Sequence, residues 1–129
     1  MASPVQYQKY REQLVVSLTP GEQITLLFEQ AAVNISRAIK CINKNDICTA
    51  HNSIIKAQKI YSYLSDTLDL NFEISKELFA LYEFIQDRLA EANIKKDTGI
   101  LDQVLGMTRD FKDTWKKAEV QSRAYPPST

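Results

Sequence analysis

Few side chains in this sequence are equipped for chemistry: His51, its one histidine, and the two cysteines Cys41 and Cys48. Two thiols and an imidazole are potential metal ligands, but a closed zinc site needs four donors at characteristic spacings, and the fourth is missing. A di-metal centre in a helical bundle needs inward glutamates and Glu-x-x-His pairs, and the residue three before His51 is Cys48. No Gly-rich phosphate loop and no Gly-x-Ser-x-Gly elbow occurs. Acid–base or nucleophilic catalysis would have to run on one histidine, without paired carboxylates flanking an apolar pocket. The expectation is a protein that binds and does not transform its ligand: no enzyme, no cofactor, no metal. The alternative is a helical-bundle metal-binding protein or enzyme using Cys41, Cys48 and His51. Cys41 and Cys48 flank an expected turn, so a disulfide between them requires close helix ends; reduced thiols suit a cytosolic chain.

Composition narrows the partners. The chain has 16 basic and 16 acidic residues and no net charge. No single-sign field is expected, which makes nucleic acid and anionic membrane poor default partners. No run approaches the ~18–20 apolar residues of a membrane span, so no membrane insertion is expected. Met1–Tyr10 lacks the basic and apolar regions of a signal peptide, and the expected location is cytoplasmic. With 44% hydrophobic and 25% charged residues in 129 positions, the chain suits one folded domain. Its 3 glycines and 4 prolines leave the interior free to be helical.

Four amphipathic helices can be read from the pattern. Thr19-Pro20-Gly21-Glu22 places Thr at an N-cap, Pro at the first helical position and Glu three residues after the cap. The stripe Ile24, Leu27, Phe28, Ala31, Ile35, Ala38, Ile39, Ile42 follows and ends at Asn43-Lys44-Asn45. Asp46 caps a second helix, with Ile47, Ala50, Ile54, Ala57, Tyr61, Leu64 and Leu68 on a bundle seam and an end near residues 69–71. Ser75 is read as the third N-cap, with Ile74 and Phe79 as a hydrophobic staple and Leu78, Leu81, Ile85, Leu89 and Ala92 as the stripe. A fourth helix begins near Asp97 and carries Ile100, Val104, Met107, Phe111, Trp115 and Ala118. Gly106 inside it costs about 1 kcal/mol against Ala. Short links force antiparallel neighbours, so the expected fold is all-α: an up-down-up-down four-helix bundle. The bundle domain spans residues 19–120, preceded by a short apolar N-terminal arm over residues 1–18 and followed by a disordered tail over residues 121–129.

Several apolar residues miss these stripes: Leu26 and Val33; Ile55, Cys48 and Ile60; Phe79 and Phe84; Leu70 and Phe72; Leu101 and Leu105. Ordered groups of this kind point to grooves covered by the arm, by a second copy in a homodimer, or by a partner. Such a groove could hold an amphipathic peptide.

The motifs in order resemble those of the flagellar secretion chaperone family (FliS). The resemblance spans about residues 7–118. It includes the tyrosine-bearing segment Tyr7–Tyr10, the helix start Leu18-Thr19-Pro20-Gly21-Glu22-Gln23-Ile24, and Lys56-Ala57-Gln58-Lys59-Ile60 followed by Leu64 and Leu68-Asp69. It continues through Leu78, Leu81-Tyr82-Glu83-Phe84, Arg88-Leu89 and Ala92-Asn93 to Asp113-Thr114-Trp115. Leu27-Phe28-Glu29-Gln30 departs from the family's Leu-Tyr-Asp/Asn-Gly, and Phe84 replaces a tyrosine. The resemblance implies a helical chaperone that binds the disordered C-terminal segment of flagellin, blocks premature polymerisation and keeps it ready for type III export. Other flagellar regulators or export components are further partners it allows. It also implies an arm that covers part of the peptide site. Carried from motif positions, Tyr7 and Tyr10 are expected as arm contacts, and Ile55, Gln58, Tyr82 and Asn93 as flagellin-binding groove contacts.

Overall fold

The computed structural model describes residues 20–124, with side chains described for residues 21–118. Four helices fill this span: α1 (Pro20–Asn43), α2 (Ile47–Asp66), α3 (Glu73–Lys95) and α4 (Thr98–Ala124). Residues 44–46, 67–72 and 96–97 link them. These links are too short to carry the chain along the bundle, so successive helices reverse direction. Each helix packs on two neighbours in a ring: α1 on α2 and α4, and α3 on α2 and α4. The seams made by α1 are the more extensive, and those made by α3 are slighter. The result is the expected up-down-up-down four-helix bundle.

The helix ends have local causes. Pro20 opens α1, where its fixed φ and missing N–H cost nothing; Thr19 lies outside the described residues, as do Tyr7 and Tyr10. After Asn43 the backbone enters the left-handed region at Asn45 (φ 61°), a conformation that Asn tolerates better than most residues. Asp46 then caps α2, its carboxylate accepting from the Thr49 N–H at 3.3 Å. α2 stops at Asp66, short of the 69–71 expected. The Leu68 N–H bonds back to the Ser65 carbonyl, the tightened three-residue turn in which helices often end.

α3 begins at Glu73, before Ser75. Phe72 holds the cap position without a side-chain cap bond, and Ser75 is buried inside the first turn. The staple framed around Ser75 is therefore misplaced, and Ile74 stands 60% exposed. At the other end Lys96 is left-handed (φ 50°) and closes α3. Asp97 then caps α4, accepting from the N–H groups of Gly99 at 2.8 Å and Ile100 at 3.2 Å. α4 runs on to Ala124, past residue 120 where the sequence reading ends the bundle.

One aromatic ring from each helix meets in the core. Phe28 of α1 stacks on Phe111 of α4 at 5.4 Å and lies 6.2 Å from both Tyr61 of α2 and Tyr82 of α3. Tyr61 and Tyr82 are 5.7 Å apart, and Tyr82 meets Phe111 edge-on at 5.6 Å. Such offset and edge contacts add to the burial of the rings. The Tyr61 hydroxyl bonds Thr108 Oγ1 at 2.5 Å, and Thr108 in turn donates to the Val104 carbonyl at 2.8 Å. Since the threonine proton is committed to Val104, Tyr61 is the donor. Burial pushes the Tyr61 hydroxyl above its ordinary pKa. Leu101 and Leu105 were expected beside the core, but both are buried in it.

Candidate functional site: an apolar cleft between α3 and α4

The three side chains suited to chemistry do not converge. Both thiols are free, with Cys41 half-buried and Cys48 exposed. His51 on α2 reaches across to α3, where its Nδ1 accepts from Asn93 Nδ2 at 2.9 Å. Among the described residues no group of three or more His, Cys, Asp or Glu side chains is placed to hold a metal ion. Among the described residues Cys41, Cys48 and His51 therefore do not form the metal site that the alternative reading requires.

A different feature stands out on the surface. α3 and α4 meet closely beside their short link, where Leu89, Ala92, Ile100 and Leu101 are buried. Towards the other end of the pair they leave a cleft of about 460 Å³. Ile74, Leu78 and Leu81 line it from α3; Met107, Phe111 and Trp115 line it from α4. The α3 residues follow i, i+4, i+7 and the α4 residues i, i+4, i+8, so each set forms one helical stripe. Asp110 is the one charged residue among the lining side chains. Recognition in such a cleft rests on apolar burial, with each fully buried large side chain contributing about 1.5–3 kcal/mol.

The cleft has an aromatic floor. Tyr82 is buried beneath it, in contact with Phe28, Tyr61 and Phe111. Burial pushes the Tyr82 hydroxyl up to about 12, and a side-chain hydrogen bond with Trp115 pulls the other way. Trp115, on the cleft wall, is itself partly buried and packs against the core that contains Tyr82. The wall is thus backed by the core while part of its apolar surface stays open.

Four of the expected groove residues can be placed. Tyr82 lies under the cleft and is sealed from its surface. Ile55 and Gln58 sit half-buried on α2, and the Gln58 carbonyl accepts from Gln86 Nε2 of α3 at 2.7 Å. Asn93 is held by His51 and by Lys96, whose ammonium donates to Asn93 Oδ1 at 2.8 Å. Gln58 and Asn93 therefore belong to the α2–α3 seam, and none of the four lines the α3–α4 cleft. The cleft is built from Leu78, Leu81, Met107, Phe111 and Trp115, which the periodicity assigns to core stripes. The signal that could have marked them is their place near the outer ends of two stripes, where no link holds α3 and α4 together.

Of the apolar residues expected off the core, Val33, Leu70, Phe72, Phe79 and Phe84 are exposed. Ile55 and Ile60 are half-buried, and Ile60 packs against the core.

A family model described as flagellar protein FliS matches residues 1–122. The chain is 38% identical to the flagellar secretion chaperone FliS of Bacillus subtilis (strain 168) over 118 residues, covering 92% of this chain and 89% of that one. It is 30% identical to the flagellar secretion chaperone FliSB of Pseudomonas aeruginosa over 118 residues, 89% of this chain and 94% of the relative. With the Salmonella typhimurium flagellar secretion chaperone FliS it shares 28% identity over 109 residues, 82% and 81% of the two chains. A match of this extent, on a helical bundle with an open apolar cleft and no clustered reagents among the described residues, places the chain in the FliS family of flagellar proteins.

Proposed function

We propose that this protein is a cytoplasmic export chaperone that binds the disordered C-terminal segment of flagellin. In this reading it prevents premature polymerisation and keeps flagellin competent for flagellar type III secretion. The observation that carries the reading is the apolar cleft between α3 and α4, on a chain whose relatives are named flagellar secretion chaperones. A disordered cargo loses conformational entropy when it orders, so a modest affinity drawn from several apolar contacts suits a complex that must later release.

The position of α1 supports a role for the arm over residues 1–18. α1 and α4 are antiparallel, and Phe28 stacks on Phe111, so Pro20 stands at the bundle end where the cleft opens. An arm that closes over the cleft lowers apparent affinity by the fraction of time it is open. Tyr7 and Tyr10 are its proposed contacts. Ile55, Gln58 and Asn93 would contact a cargo that continues from the cleft onto the α2–α3 seam, and Tyr82 would act by supporting Phe111 from below. Among the described residues no helix is long and apolar enough to cross a membrane.

The test is polymerisation of purified flagellin seeded in the presence of this protein. Equimolar chaperone should suppress filament growth, and flagellin lacking its C-terminal segment should neither bind nor compete. Undiminished growth at excess chaperone would reject the proposal.

A further inference from the structure

The chain is neutral overall, but the fold sorts its charges. Three cation pairs spaced i, i+3 occur on three helices: Arg37 and Lys40 on α1, Lys56 and Lys59 on α2, Arg109 and Lys112 on α4. The bundle sets all three pairs around the outer face of α1. Two depressions, about 670 Å³ and 440 Å³, run on either side of the α1 ridge and share Glu29, Val33 and Arg37. Lys56 and Lys59 line the first, and Arg109 and Lys112 line the second. Among the described residues none of the six cations is in an ion pair; Arg37 donates to Asn34 Oδ1 at 3.4 Å. Acidic side chains gather on α3, across the ring, where Glu73 and Glu91 are neutralised by Lys76, Arg88 and Lys95.

Apolar side chains stand among the cations and the polar residues of this face. Leu26 and Ile60 line the first depression, and Val33, 51% exposed, stands on the ridge between the two. We infer that this face of α1 docks an acidic amphipathic segment of a partner protein, with an apolar side chain seated on Val33 and carboxylates over the flanking cations. Charge complementarity selects the acidic partner and steers its approach. The exposed Val33 and its neighbours Leu26 and Ile60 favour a peptide over a phosphate polymer, whose backbone has no apolar group to bury there. Glu29, in the middle of the face, repels a continuous polyanion but can accept a hydrogen bond from a peptide or pair with a single cation on it. Because α1 and α3 stand on opposite corners of the ring, this face and the α3–α4 cleft can be occupied together.

The experiment is an NMR titration of the isotope-labelled protein with a synthetic, net-acidic amphipathic peptide that carries leucines on one face and glutamates on its flanks. Saturable shifts are expected along residues 26–40, 56–60 and 109–112, and they should weaken with added salt. The double variant R37E/K59E should lose about tenfold or more in affinity and should gain affinity for a version of the peptide with lysine in place of glutamate. Leu81→Ser, in the cleft, should leave this binding unchanged, so failure here is separable from failure of the flagellin reading. Shifts confined to α3 and α4 would overturn the inference, as would equal binding of a glutamine version of the peptide. So would binding of an oligothymidylate, or of vesicles containing anionic lipid, by this face while the acidic peptide leaves it untouched.

Discussion

Two parts of the apolar face of α4 do two different jobs. Near the link to α3 and facing inward, Ile100, Leu101, Val104, Leu105 and Thr108 are buried by the bundle. On the side towards α3, from Met107 onward, Met107, Phe111 and Trp115 are only partly covered and face the cleft. Both sets are apolar apart from Thr108. What differs is whether α3 stays close enough to cover the stripe, and it does so only near the link at residues 96–97. The buried part holds the fold together, and the open part is available to a ligand. Substitutions that pull stability and binding apart are therefore the way to break the comparison.

The largest effect on stability should come from Leu101→Ala, which removes a fully buried side chain and should cost about 2–5 kcal/mol, read from urea unfolding followed by circular dichroism. Leu81→Ser, at a position 41% exposed on the cleft, should cost less than about 1 kcal/mol in the same assay. It should nonetheless weaken binding of a flagellin C-terminal peptide by about tenfold, as an anchor residue does. If both variants lose stability equally, the cleft is core and the distinction fails.

Smaller effects sharpen the picture. Tyr61→Phe should cost about 1 kcal/mol, since it removes the hydrogen bond to Thr108. The same buried tyrosines set an alkaline limit. Their native pKa values are raised, with Tyr82 at about 12 against 10.0 for an exposed tyrosine. The unfolded chain then releases protons that the native state keeps, so stability is fully present below pH 10 and falls as pH rises from 10 towards 12. A urea midpoint that stays flat across that window would contradict the burial of both hydroxyls. The smallest change expected is a gain. Gly106 sits in α4 with nothing within 4 Å of an added Cβ, so Gly106→Ala should stabilise by about 0.5–1 kcal/mol. The open space also settles why a glycine is tolerated there: no neighbouring helix approaches it.

Much of the fold was legible because its signals are local. Pro20 starts a helix, Asp46 and Asp97 cap the next ones, and the apolar period gives four stripes whose short links leave one topology. The errors have physical reasons too. Ser75 looked like a cap because serine is a good one, but the chain enters α3 at Phe72 with no side-chain cap at all. Leu101 and Leu105 looked peripheral because a single stripe was drawn on α4, while that helix packs against both α1 and α3 and needs a wider apolar face. The cleft was the least legible part. Periodicity tells which face of a helix is apolar; it cannot tell whether a neighbour covers that face along its whole length. Leu78, Leu81 and Trp115 were thus indistinguishable in sequence from the fully sealed Ile85, Leu89 and Val104. Net charge misled in the same manner, since a sum of zero conceals the cations that three helices bring to one face.

Trp115 is the chain's single tryptophan and lies in the cleft wall, so its emission reports directly on what enters there. Titration of the native protein with a tryptophan-free flagellin C-terminal peptide should shift that emission to shorter wavelength and saturate at one peptide per chain. Calorimetric binding of the same peptide with Trp115 emission unchanged would place the cargo elsewhere and contradict the account.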